Sequence, residues 1–130
     1  CYFMETGGNS INPNLTFNGD NAGGNSNYAD RRNFNFGTDS GAVNFDYMED
    51  LWNSDPFPVE LRIYIQNIAA MEKIAMASSC TANTAGSSNA PNAAILMGKW
   101  INKIDPIDTI TFVSNHDFAA DSECAVYGSD

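Results

Sequence analysis

Basic residues are scarce in this chain. Six lysines and arginines stand against sixteen aspartates and glutamates, for a formal charge of −10. A phosphate backbone is gripped by a basic stripe, and the lone adjacent basic pair, Arg31-Arg32, makes none. Nucleic acid is therefore excluded as a partner, and anionic membrane surfaces are poor ones. No apolar run approaches the ~20 residues that span a bilayer, which excludes insertion by a helix. No signal-peptide pattern is recognisable. Helical periodicity is missing as well, with no convincing helix longer than two turns. Histidine occurs once, as His116, and cysteine three times. Two-histidine and paired-cysteine metal spacings are thus absent, as is G-x-S-x-G.

What is present suits a single domain over residues 1–130. Apolar residues make up 43% of the chain, enough for a two-layer core without metals or staples. Charged residues reach only 17%, and seventeen asparagines carry much of the remaining polarity. Asparagine and glycine tolerate left-handed backbone, so this composition implies long loops. The clearest strand covers residues 59–68. Val59, Leu61, Ile63 and Ile65 alternate there with Glu60, Arg62, Tyr64 and Gln66. Pro56 and Pro58 bound its start, where proline costs no ladder bond.

Further strands are expected at residues 2–5, 15–17, 73–78, 94–101, 107–114 and 123–127. The segment 94–101 also fits a short helix, and its neighbours decide for a strand. Residues 1–50 read as loop-rich, with a tight turn at Asn18-Gly19 and apolar weight returning at Phe34, Phe36, Phe45 and Tyr47. Residues 81–92 form a low-complexity loop. Seven or eight short strands with turn signals between them predict an all-β antiparallel sandwich, jelly-roll-like, with long Asn/Gly-rich loops.

Candidate chemistry is thin. His116-Asp117 has the look of a base and its orienter, with Ser114 or Ser122 as nearby hydroxyls, but a lone histidine in a polar loop is ordinarily a loop residue. Asp46, Glu49, Asp50, Asp55 and Glu60 cluster in sequence; a solvated acidic edge explains them better than a glycosidase pair. Calcium takes six to eight oxygen ligands, and Asn18, Asp20 and Asp30 are weak candidates; Asx turns are the favoured use of these residues. Asn14-Leu15-Thr16 matches a glycosylation sequon. Tyr28, Trp52, Tyr64 and Trp100 are candidate platforms for stacking on a sugar, with Trp52 and Tyr28 foremost. The alternative is core filler. Cys80 and Cys124 sit at strand positions as a possible disulfide pair, with buried free thiols as the favoured alternative. A chain beginning at Cys1 is read as a processed end, a lipid-anchored end or a fragment boundary.

Leu15-Thr16-Phe17-Asn18-Gly19-Asp20, followed by Gly24-Asn25-Ser26-Asn27-Tyr28-Ala29, resembles the "rFNgD…sNY" signature of small virion structural proteins of tailed phages. Residues 60–68 resemble that family's "idI.ny" strand, and Glu72-Lys73-Ile74-Ala75-Met76 its following lysine-bearing strand. Met97-Gly98-Lys99-Trp100-Ile101 resembles "sGlW". The close at Ile107-Asp108-Thr109-Ile110-Thr111-Phe112, residues 115–120 and Ala125-Val126-Tyr127-Gly128 resembles "itsItl…gnFa.gs…lYGi". The order is kept over nearly the whole chain.

The resemblance implies a non-enzymatic β-sandwich on a virion surface, either a tail-fibre or adhesion domain or a capsid-decoration protein, without a cofactor. The implied partners are copies of itself, with a trimer favoured, and other virion proteins. A cell-surface glycan is a further candidate. The family carries strands ahead of the "FNgD" region that are sparse here, so the chain is either lacking N-terminal strands or completed by a neighbouring subunit. The alternatives are a carbohydrate-binding sandwich module of an extracellular protein and a subunit of an extracellular filament.

Overall fold

The computed structural model describes residues 1–4, 12–52, 57–83 and 86–128. All its regular elements are strands: β1 (Tyr2–Phe3), β2 (Asn14–Phe17), β3 (Tyr28–Phe34), β4 (Asp39–Phe45), β5 (Val59–Gln66), β6 (Lys73–Thr81), β7 (Asn92–Trp100) and β8 (Ile110–Val113). Six form one antiparallel sheet in the order β1-β5-β6-β7-β3-β4, and β2 pairs with β8 in a second. Early strands thus nest against late ones, β2 on β8 and β3 on β7. The all-β sandwich expected from the strand pattern is the fold of the protein.

The period of two is what builds the large sheet. Along β6 every odd-numbered residue from Lys73 to Thr81 is buried and every even-numbered one exposed. The β5 alternation points as the sequence requires, with Val59 and Leu61 fully buried and Ile63 and Ile65 partly so. The segment 94–101 is a strand, β7, and Met97, Gly98 and Trp100 alternate across it.

The inner face of the large sheet is made of small side chains in its middle: Ala75, Ala77, Ala94 and Gly98. Large residues from the opposing layer fill that space. Leu15 and Phe17 come from β2, and Met48, Leu51 and Trp52 from the chain after β4. Met48 is tied to Leu15 by a two-way backbone bridge at 3.0 Å. A Cβ added at Gly98 would stand 2.9 Å from Met48 Cγ and closer still to its sulfur. Only glycine leaves room for Met48 over the sheet, because the interior is packed to crystal density.

Residues 1–50 hold more structure than their composition suggests. The hairpin β3–β4 lies there, with a register irregularity at Tyr28/Ala29. Its inward positions on β3 are Tyr28, Asp30 and Arg32, polar residues that hide the alternation. Asn18-Gly19 does form the expected turn, with φ of 53° and 67° and Asp20 N donating to Phe17 O at 2.9 Å.

The expected strand at 123–127 is not formed. Glu123 bridges Tyr2, and residues 124–128 pair with nothing in the described chain. The expected strand 107–114 is shortened to Ile110–Val113 because side-chain amides take its first backbone groups. Asn67 brackets Ile107, and Asn18 Oδ1 accepts from Asp108 N and Thr109 N. Cys124 is joined to Cys1, not to Cys80, which is a free and exposed thiol. The reason lies in the bridge: Tyr2 and Glu123 face each other, so their neighbours Cys1 and Cys124 do too. Cys80 lies on the outward side of β6, across from Glu60.

Candidate interaction surface

The outer face of the large sheet is built by the even-numbered residues of β5 and β6 and the odd-numbered ones of β7, β3 and β4. Cross-strand pairing sets Tyr64 beside Met76, Met76 beside Met97, and Met97 beside Arg31. Ile74, Ile95 and Val43 lie on the flanking rows. These side chains are exposed: Tyr64 by 72%, Val43 by 68%, Met97 by 53% and Met76 by 49%. A contiguous apolar patch of this kind marks an interaction site, whereas scattered exposed apolar residues do not. Next to Met97 the patch dips into a shallow recess of about 310 Å³ lined by Arg31, Phe36, Asp39 and Ile95.

The charges on this face cancel locally. Arg31 pairs with Asp39 at 2.6 Å, Arg62 with Glu60 at 2.6 Å, and Lys99 with Glu72 at 3.1 Å. Half of the six basic residues sit here, each matched by one acid, so the formal −10 lies on the rest of the molecule. Exposed pairs of this kind add little stability. Their effect is a neutral apolar face on a strongly acidic protein.

The sequence-predicted sites lie elsewhere. Tyr28 and Trp52 are 1% and 2% exposed and cannot stack on a sugar at the surface. Tyr28 lies at 6.4 Å from Trp100, nearly coplanar, and its hydroxyl accepts from Phe17 N at 2.9 Å. Desolvation by burial pushes that hydroxyl up to about 12. Trp52 stacks on Phe3 at 5.5 Å. Trp100 is equally buried, and Tyr64 alone of the four faces solvent. Indole and phenol bury large apolar area, and a sandwich with small residues on its sheet needs that volume from the opposite layer.

Asn18, Asp20 and Asp30 are not brought together. Asn18 serves the start of β8. Asp20 accepts from Trp100 Nε1 at 2.7 Å and from the side-chain amides of Asn25 and Asn27. Asp30 lies buried on β3 beside Arg32. Among the described residues no group of three or more metal-ligating side chains converges.

The acidic run is likewise dispersed. Asp46 accepts from Gly24 N and Ser26 N, and Glu60 pairs with Arg62. Asp55 lies outside the described residues. His116 is exposed, and the Ser122 hydroxyl bonds the backbone of Met4.

Two carboxylates of that run have a structural role the sequence did not disclose. Arg32 holds Glu49 at 2.6 Å and Asp50 at 2.7 Å, with Asp30 at 3.7 Å, while Glu49 N donates to Asp30 Oδ2 at 2.9 Å. Desolvation raises both Asp30 and Asp50 above the ordinary carboxylate value, despite the guanidinium beside them. This cluster pins the segment carrying Met48, Leu51 and Trp52 onto the sheet. A scan against protein-family models and searches of curated proteins and of solved structures each return no match.

Proposed function

We propose that this protein is a non-enzymatic structural module that acts by covering the outer face of its large sheet against neighbouring molecules, as a surface component of a virus particle, either a fibre or adhesion domain or a capsid-decoration protein. The observation that carries the assembly role is the neutral apolar face around Tyr64, Met76 and Met97. The virion setting rests on the resemblance of the "FNgD", "sGlW" and "lYG" runs, which lie here on β2, β7 and the C-terminal segment. A surplus of acid on every other side keeps many copies soluble at high density.

The test is association with copies of itself and with candidate particle proteins, comparing the natural chain with Met97→Asp. The substitution leaves the core untouched and places a bare charge at the centre of the face. Loss of association with an unchanged melting curve supports the proposal, and undiminished association removes it. The sugar-binding alternative retains Tyr64 as its one exposed platform among the four aromatics. A glycan array on which binding disappears with Tyr64→Ala would favour that reading instead.

A further inference from the structure

The two ends of β5 are covered differently. At its start, Cys1 and Leu61 exchange backbone hydrogen bonds of 2.6 and 2.8 Å, and Tyr2 and Phe3 pair with Glu60 and Val59. Val59 and Leu61 there are 0% exposed. Past Cys1 the edge is open. Leu61 turns its N–H and C=O toward β1, so by strand alternation Ile63 and Ile65 turn theirs to the same side. No described strand pairs with them on that side, and their side chains are only partly buried.

A second strip lies one strand further out. Glu123 pairs antiparallel with Tyr2 on the side away from β5, and the Cys1–Cys124 disulfide fixes the next residue. Residues 125–128 then run on without a partner, with Val126 74% and Tyr127 91% exposed. Because β1 is antiparallel to both neighbours, this strip leaves the disulfide running in the same direction as β5. Two strand spacings, roughly 10 Å, separate them at β1.

We infer that the gap between residues 62–66 of β5 and residues 125–128 takes the C-terminal strip of a second copy of this chain, each copy filling the gap of the other. The directions agree. A two-fold axis makes the two strips antiparallel, so each is also antiparallel to the β5 it meets, and the order becomes β5, second strip, first strip, second β5. Both sets of unpaired backbone groups are satisfied by one operation, as in strand addition to an open edge. Charge permits it: Ala125, Val126, Tyr127 and Gly128 are uncharged, and Arg62 on the facing edge is already held by Glu60. Apolar Val126 supplies cover for the half-covered Ile63 and Ile65 row. This arrangement rests on the self-assembly part of the proposed function and closes on two copies, whereas the phage resemblance implies three.

Sedimentation equilibrium of the full chain, combined with amide hydrogen exchange, tests it. The expected result is twice the chain mass, with the Ile63 and Ile65 amides exchanging at least 100-fold more slowly than in a variant carrying Val126→Asp and Tyr127→Asp. That variant is expected to be a folded monomer, since neither side chain is buried in its own chain. Met97→Asp, on the outer face, is expected to leave the strand-exchanged pair intact, so failure of the face and failure of the strip are read separately. A monomer with fast Ile63 and Ile65 exchange at every concentration would overturn the inference. So would a trimer mass, or a pair that survives the double substitution unchanged.

Discussion

The two faces of the large sheet share the same strands and differ residue by residue. On β6, Ala75 and Ala77 face in and Ile74 and Met76 face out. On β7, Leu96 and Gly98 face in while Ile95 and Met97 face out. The inner face is thus the smaller-grained one, and its volume is supplied by Met48, Leu51, Trp52 and Phe17 from the other layer. The outer face carries the larger flexible side chains and has no layer of its own. Hydrophobicity alone therefore does not tell inside from outside here; the size of the side chains and the presence of a covering segment do.

Breaking the inner face is expected to have the largest effect. Trp52→Ala removes a 2% exposed indole from the covering layer and should cost about 3–5 kcal/mol in chemical unfolding. For that reason Trp52→Ala is no test of sugar binding, since it would abolish any function through the fold. Arg32→Ala leaves Asp30, Glu49 and Asp50 facing one another without their cation, and a loss of about 3 kcal/mol is expected. The companion Arg32→Lys should recover only part of it, because one ammonium cannot fork to two carboxylates. Gly98→Ala pushes a methyl into Met48 and is expected to cost about 1–3 kcal/mol. Combining it with Met48→Ala should recover part of the loss, a coupling that a double-mutant cycle reads directly.

Acidity should act on the inner face alone, and more gently. Asp30 and Asp50 have folded-state values raised above 3.8, so the native state binds protons more readily than the unfolded chain. Their ionised forms cost stability above the folded values, and that cost fades as pH falls through them toward 3.8. The melting temperature is therefore expected to rise on mild acidification from neutral pH, and the rise should shrink in Asp30→Asn. A melting temperature that falls steadily over the same range would contradict the desolvation account. Smallest of all should be Met76→Ser on the outer face, within about 0.5 kcal/mol of the natural chain in stability, while weakening association.

The sequence was most legible where side-chain period and burial agree. Val59 to Ile65 reads as a strand because apolar and polar residues alternate without exception, and β5 follows. The β3–β4 hairpin was hidden because its inward positions include Asp30 and Arg32, which look like surface residues until Glu49 and Asp50 are known to close over them. Those partners lie 17 and 18 residues away in sequence, so no local pattern announces them. Tyr28 and Trp52 looked exposed for the related reason that their neighbours are polar; burial comes from the opposite layer. The Cys1–Cys124 link depends on two ends of the chain meeting across 123 residues, beyond the reach of spacing. The outer face was in principle readable, since Ile74, Met76, Ile95 and Met97 stand on the opposite parity from the alanines and glycine of the core, and that parity is the signal that was missed.

Methionine oxidation offers the most direct test of the claim that the outer face is the docking surface, because the chain carries its own probes on both sides of the sheet. Met76 and Met97 are 49% and 53% exposed, and Met48 is fully buried. In dilute, unassembled protein a brief peroxide pulse followed by peptide mass analysis should oxidise Met76 and Met97 and spare Met48. In the assembled state Met76 and Met97 should become protected while Met48 stays unchanged. Equal oxidation of Met76 and Met97 before and after assembly would contradict the account.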